Sequence, residues 1–493
     1  MTLRKLQLAF GLALIALTAC ESNPQRLQYA YPSKYSEVGL PNIFSDNMVL
    51  QQGMAVPIWG WGPEGEVVTV TYGNHSAKAR VKNGRWMVKL HCLKPDDGAT
   101  VLTIVSGDGK TLQFTNVVVG EVWLASGQSN MEFKLNRAFQ AEQDIASAAD
   151  SNIRFIDVPN TRLNSPTNNI KATWTTCTPE SAAKISAVAY YFARKLHRDR
   201  HVPVGIIESD WGGTPAEAWT PWSTLAASPT LKAHYIDEYL KGGDKAPTNL
   251  GKPRKAWRPG ELYNGMIAPL EPFAFRGAIW YQGEANAHGQ KAKEYRLLLS
   301  TMITKWRYQF GHDFPFLIVQ LAPFKNIQHQ PQDSDWAMLR ESQSFITHAL
   351  PKVGIAVITD IGEEKDIHPK KKQPVGQRLE LAAQKIAYGE NVDYSGPTFA
   401  SMRVRGDKAV LTFDNVDGGL VARGGALKGF AMCGPDHKFI WAVAEIDGDD
   451  QIVVSSPAIE KPVAVRYGWA DYPVVNLWNK AGLPASPFRT DDF

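Results

Sequence analysis

Cysteine is scarce in this chain, with four among 493 residues. Cys92, Cys177 and Cys433 cannot all pair with one another, and neither their separation nor their neighbours give a zinc spacing. That excludes a disulfide framework and a cysteine-rich zinc site, and leaves buried free thiols as the expectation. An excess of one charge is lacking too: 53 Lys and Arg face 49 Asp and Glu, for a net charge of +4. No basic run is interleaved with aromatics, so nucleic acid is not an expected partner. Long apolar runs are also missing. Residues 6–17 are too few to span a bilayer as a helix, which takes about 20, and no later stretch is long and apolar enough.

What the N-terminus does have is a short address. Arg4 and Lys5 precede the apolar run, which ends in Leu17-Thr18-Ala19-Cys20. This resembles the bacterial lipobox, in which the cysteine becomes the lipidated first residue. Residues 1–20 are therefore expected to be a lipoprotein signal peptide and 21–38 a polar tether. The chain would be secreted across the inner membrane and lipid-anchored in the bacterial cell envelope, in the periplasm or on the outer membrane. Its membrane contact would come only through Cys20.

The rest is ordinary globular material, 44% hydrophobic and 21% charged, and long enough for two or three domains. Fifteen Trp and 16 Tyr suit either sugar-binding faces or an aromatic core. Residues 39–118 alternate apolar and polar, as in Val68 to Tyr72 and Ala77 to Val81, between Gly- and Asn-rich turns; this predicts an N-terminal β-sandwich-like domain. From 119 to 393 apolar strands alternate with helices, the pattern of a parallel sheet covered on both faces. A Gly- and Pro-rich stretch at 241–261 reads as a loop inserted in that core. Strand patterning returns over 394–493, a C-terminal β region.

In an open parallel sheet, ligands bind at the carboxyl ends of the strands. After the strand predicted at 117–125 comes Ser126-Gly127-Gln128-Ser129-Asn130-Met131. Gly127 permits a tight turn, and Ser129 would sit exposed with its N–H free for an oxyanion; a serine there can equally be a helix N-cap. After 204–209 comes Trp211-Gly212-Gly213-Thr214-Pro215, whose glycines either bring an N–H close to a ligand or simply make a turn. After 277–281 come Gln282, whose amide could donate to an oxyanion, and Glu284, which when ionised only accepts and would orient other groups. After 353–358 come Asp360 and then Asp366-Ile367-His368-Pro369. His368 suits proton transfer near neutral pH, and a neighbouring carboxylate can hold its Nδ1–H. Lys370, Lys371 and Lys372 could attract an anionic substrate, but read first as a solvated charge run. Taken together, the four strand ends carry the parts that acyl transfer needs.

These segments resemble the four sequence blocks of the sialate O-acetylesterase family, a branch of the SGNH (GDSL-like) hydrolases. The blocks are Gly127-Gln128-Ser129-Asn130-Met131, Gly212-Gly213-Thr214-Pro215-Ala216-Glu217-Ala218-Trp219, Trp280-Tyr281-Gln282-Gly283-Glu284 and Asp366-Ile367-His368-Pro369. Residues 263–270 and 483–490 are similar to the family as well, and the resemblance runs from about residue 40 to the C-terminus. It implies an α/β fold: an SGNH-type α/β/α parallel-sheet core with accessory β-sandwich regions at its N- and C-terminal sides, and neither metal nor organic cofactor. It makes Ser129 the nucleophile, His368 the base and Asp366 the third triad member. The oxyanion hole would combine the Ser129 N–H, a backbone N–H of the glycine pair, with Gly213 preferred, and the Gln282 side chain. Glu284, Gly212 and Asn130 would orient these groups or touch substrate. Two positions depart from the pattern. Lys365 stands three residues before the histidine, where SGNH enzymes commonly have Asp, so Glu364, Asp360 and a dyad oriented by a backbone carbonyl stay open beside Asp366. Gln282 stands where the wider superfamily has Asn. The implied activity is hydrolysis of O-acetyl esters of sialic acid through an acetyl-serine. The same blocks would serve deacetylation of xylan or another polysaccharide, and a glycan-binding lipoprotein with the core as scaffold is the non-catalytic alternative.

Overall fold

The computed structural model describes residues 35–91, 93–95, 100–241 and 257–493. The expected signal peptide with Cys20, most of the tether, Cys92 and most of the inserted loop lie outside them. In spatial order the core strands are Val353–Ala356, Phe316–Val319, Gly277–Tyr281, Thr111–Gly127, Val204–Asp210, Asp150–Asp157 and Thr175–Cys177. Neighbours run parallel except the last pair. Every residue of Gly277–Tyr281 and Val204–Asp210 is buried, as a strand covered on both faces requires. Alternate side chains point to opposite layers. Ile279 and Leu317 meet Phe192, Leu196 and Leu379 of the helices Ala187–Arg200 and Gln373–Ile386. Ala278, Trp280 and Phe316 meet Leu298, Trp306 and Leu339 of Gln290–Phe310 and Asp335–Ala349. The expected α/β/α core is therefore present.

Thr111–Gly127 comes first among the core strands in the chain yet lies in the middle of the sheet. The chain fills one side of it and then crosses to Gly277–Tyr281 on the other. Its carboxyl end is thus the topological switch point, where ligands bind in such sheets.

This strand also changes the domain picture at the N-terminal side. It is 17 residues long. Its first part pairs antiparallel with Thr100–Ser106, and its last part pairs with Val204–Asp210 and Gly277–Tyr281. A boundary near residue 118 falls inside it. Residues 111–116 are polar or partly exposed, so the apolar run that betrays the strand starts only at Val117. Val68, Val70 and Leu102 of the accessory strands share one hydrophobic cluster with Leu124 and Trp280 of the core.

The C-terminal β region builds a cluster of its own around Leu411, Phe413, Met432, Val454, Tyr467 and Phe488. One of its antiparallel sheets runs Thr398–Arg405, Lys408–Asp414, Gln451–Ser455, Val443–Asp447. Among the described residues, none of its strands pairs with the N-terminal ones. Cys177 and Cys433 are buried free thiols, as expected.

Candidate active site

The serine is delivered by a turn that requires glycine. Gly127 ends the central strand with φ at +144°, and a Cβ there would lie 2.2 Å from the Tyr281 carbonyl oxygen. The helical turn Ser129–Glu132 follows. No side chain caps it, which removes the N-cap reading of Ser129. The Ser129 N–H has no partner among the described residues, and its Oγ lies 2.9 Å from His368 Nε2.

His368 sits on the loop between Val353–Ala356 and Gln373–Ile386. Asp366 Oδ1 accepts the backbone N–H of His368 at 2.9 Å and lies 3.5 Å from its Nδ1. This local turn fixes the backbone of the histidine while the carboxylate faces the ring. The other two carboxylates are engaged elsewhere. Arg378 holds Asp360 at 2.6 and 2.8 Å, and Glu364 accepts the Ile327 N–H at 3.0 Å. Burial pushes the imidazole pKa below its ordinary value; Lys372 and Arg137 add to that, and Asp366 opposes it.

The two glycines have different roles. The Gly212 N–H donates to Glu132 Oε2 at 2.8 Å. A Cβ on Gly212 would lie 2.7 Å from that oxygen and 3.3 Å from the Ser129 Cβ, so the loop packs directly on the serine. Gly213, at φ +71°, has open space around it and an N–H without a partner among the described residues.

Gln282 departs from the expectation. It is fully buried, and its Nε2 donates to Gln128 Oε1 at 3.2 Å, the Thr214 carbonyl at 3.1 Å and Asn286 Oδ1 at 2.8 Å. Its Oε1 accepts from the Tyr295 hydroxyl at 2.7 Å. An amide nitrogen carries two hydrogens, and both are spent. Gln282 is therefore not placed as an oxyanion donor; it holds the Thr214 carbonyl, and with it the loop bearing Gly213, from beneath.

Asn130 and Glu284 act as orienting groups. Asn130 is buried and donates from Nδ2 to Glu284 Oε1 at 2.6 Å and to the Ile367 carbonyl at 2.9 Å. It thereby ties the serine turn to the residue before His368. Lys372 Nζ donates to Asn130 Oδ1 at 2.5 Å. Lys372 thus leaves the solvated charge run: it is 1% exposed, with the Phe133 and Tyr281 rings 4.8 and 5.2 Å from its Nζ. Burial pulls its pKa down to about 7 and pushes that of Glu284 up.

A model of the family described as "Carbohydrate esterase, sialic acid-specific acetylesterase" matches residues 119–385. The chain belongs to that family. A carbohydrate acetylesterase from Xanthomonas citri of known crystal structure is 41% identical, with a TM-score of 0.83; the similarity covers 92% of this chain and 100% of that one. The sialate O-acetylesterases of Homo sapiens and Rattus norvegicus are each 28% identical, over 490 and 509 residues. These matches cover 90% of this chain and 91% and 93% of theirs.

Two groups in the site of this esterase escape sequence reasoning. Glu132 holds Gly212, and its signal was present: three residues after Ser129 it shares a face of the same helical turn. Lys372 carries no such mark, because a lysine beside two others reads as surface.

Proposed function

We propose that this esterase removes O-acetyl groups from sialic acid by way of an acetyl-serine intermediate. The observation that carries the reading is the 2.9 Å contact between Ser129 Oγ and His368 Nε2, beside the Ser129 and Gly213 N–H groups, which have no partner among the described residues. Ser129 Oγ attacks the acetyl carbonyl carbon, and its proton passes to His368 Nε2. The oxygen that becomes anionic is met by the N–H groups of Ser129 and Gly213. The bond from the carbonyl carbon to the sugar oxygen then breaks, and His368 returns the proton to that oxygen. Water attacks the acetyl-serine while giving a proton to His368; Ser129 leaves with that proton, and acetate is released. Asp366 faces the imidazolium that forms in each half. Sialate as substrate is supported by the family description and by the two mammalian relatives. Lipidation at Cys20 would hold the enzyme in the bacterial envelope, and Cys20→Ser should release it from membrane fractions.

The test is acetate release by purified protein from 9-O-acetyl-N-acetylneuraminic acid, with acetylated xylan oligomers alongside. Ser129→Ala should lose roughly 10⁴-fold or more, and a fluorophosphonate should label the wild type at Ser129. Turnover of xylan alone would keep the mechanism and move the substrate to polysaccharide. No Ser129-dependent release from either would leave the glycan-binding reading in possession.

A further inference from the structure

One rim of the site is the segment that follows the serine turn. Its Phe139 N–H donates to the Lys370 carbonyl at 2.9 Å, which fastens the segment to the loop two residues beyond His368. Within it, Leu135–Arg137 forms a 3₁₀ turn. This turn places the Arg137 guanidinium over the Phe133 ring, 4.7 Å from its centroid. The same ring lies 6.5 Å from the imidazole of His368, and the Arg137 charge is felt there.

Four other cations are engaged elsewhere. Lys134 donates to Glu208 at 2.6 Å, Arg378 holds Asp360, Arg162 grips Glu261 at 2.9 and 2.8 Å, and Lys372 is buried against Asn130. Arg137 is exposed, and its side chain makes no hydrogen bond or ion pair with any described residue. The guanidinium carbon lies over the Phe133 ring, and the N–H groups have no acceptor among the described residues. A guanidinium held in this way presents the two parallel donors that fit a carboxylate. Phe139, 56% exposed on the same rim, offers an apolar face for the C–H side of a sugar ring. The acidic groups of the facing loop are turned to other work: Asp366 toward His368, Glu363 to the Lys370 N–H at 3.4 Å and Glu364 to Ile327.

We propose that Arg137 is a specificity-determining residue that binds the carboxylate of an acidic sugar ester while its acetyl group lies at Ser129. This rests on the O-acetylsialate reading above, and it explains how a site built for acetyl transfer would prefer an anionic sugar to a neutral one. Lys370 and Lys371, also exposed on this side, are the competing carriers of positive charge.

The test compares kcat/KM for 9-O-acetyl-N-acetylneuraminic acid with that for its carboxyl methyl ester, on the full-length protein. Both substrates meet the same catalytic groups, so the ratio isolates the carboxylate. Arg137→Ala should lower the ratio roughly 10- to 100-fold, mostly through KM for the free acid. Arg137→Lys should fall between, because it keeps the charge and loses the fork. An unchanged ratio in Arg137→Ala overturns the proposal, as does a drop that appears only in a Lys370→Ala/Lys371→Ala variant. Failure of the underlying reading looks different: the wild type would then cleave p-nitrophenyl acetate through Ser129 but leave both sialate esters untouched.

Discussion

In the proposed mechanism, a single proton on His368 decides whether Ser129 can be activated. The imidazole must be neutral to accept the serine proton, and burial together with Lys372 and Arg137 holds its pKa below the ordinary 6.5, against Asp366. The acid limb of kcat/KM should therefore lie below pH 6.5, with activity flat through neutrality. Lys372, with a pKa of about 7, is still charged over the range where that limb falls. Lys372→Met removes this charge, so the imidazole should protonate more easily and the limb should move to higher pH. The same change frees Asn130 Oδ1 and loosens the grip on the Ile367 carbonyl, which should lower kcat by about tenfold. A limb that stays in place in Lys372→Met would mean that the lysine charge does not reach the imidazole. Asp366→Asn works in the opposite sense: the limb should move to lower pH, and kcat should drop because the imidazolium formed in each half-reaction loses its carboxylate. Gln282→Ala separates two roles at one residue. A buttress should lose stability, about 1–3 kcal/mol for each buried partner left unpaired, and thermal melting read beside kcat would reveal an oxyanion donor as a large rate loss with little change in melting.

The elements deliver these groups by ending where they do. Gly127→Ala would set a methyl group against the Tyr281 carbonyl, so the strand end must shift and carry Ser129 with it. A rate loss of at least about 100-fold together with a lower melting temperature is expected, since a misplacement of about 1 Å already costs that much. A variant with wild-type kcat would show that the turn tolerates a side chain. Gly277–Tyr281 is legible in the sequence because it is apolar throughout, and Val204–Asp210 because it opens on the apolar run Val204 to Ile207. Asp150–Asp157 is not: its first residues are polar and exposed, and Arg154 is buried at its centre, donating to the Asn47 carbonyl at 3.0 Å. Asp335–Ala349 hides for a related reason. Its buried face includes Arg340, Ser342 and Gln343, so hydrophobic periodicity cannot find it. In the site, Ser129, His368 and Gly213 stand in motifs that say what they could do. The burial of Lys372 and the spent amide of Gln282 are facts of tertiary packing, and no local pattern encodes them.

At the scale of the whole molecule, the C-terminal β region has its own apolar core and yet is not a free appendage. Arg340, fully buried on Asp335–Ala349, donates to the carbonyls of Leu321 and Ala322 at 2.8 and 3.0 Å, and to those of Ala470 and Asp471 at 2.7 and 3.0 Å. It thus joins the two regions through one side chain. Burial pulls its pKa down to about 9, and the four carbonyls take the place of water around the charge. Arg489 adds a second tie, to Glu341 at 2.8 and 3.2 Å. The seam also touches the loop that carries His368, because the Tyr472 hydroxyl donates to the Gly362 carbonyl at 3.4 Å, six residues before that histidine. Arg340→Met fills similar space but leaves the Leu321 and Ala470 carbonyls without a donor, whereas the Ala322 carbonyl keeps the Trp336 Nε1–H and the Asp471 carbonyl the Phe324 N–H. Each unpaired acceptor costs about 1–3 kcal/mol, so two of them should cost about 2–6 kcal/mol. If Arg340 couples the two regions, the wild type should unfold in one calorimetric transition. The variant should show two, the C-terminal region melting first and kcat falling with it as the His368 loop loses its support. A single transition at the wild-type temperature would instead assign the seam to its apolar contacts and make the catalytic core self-sufficient.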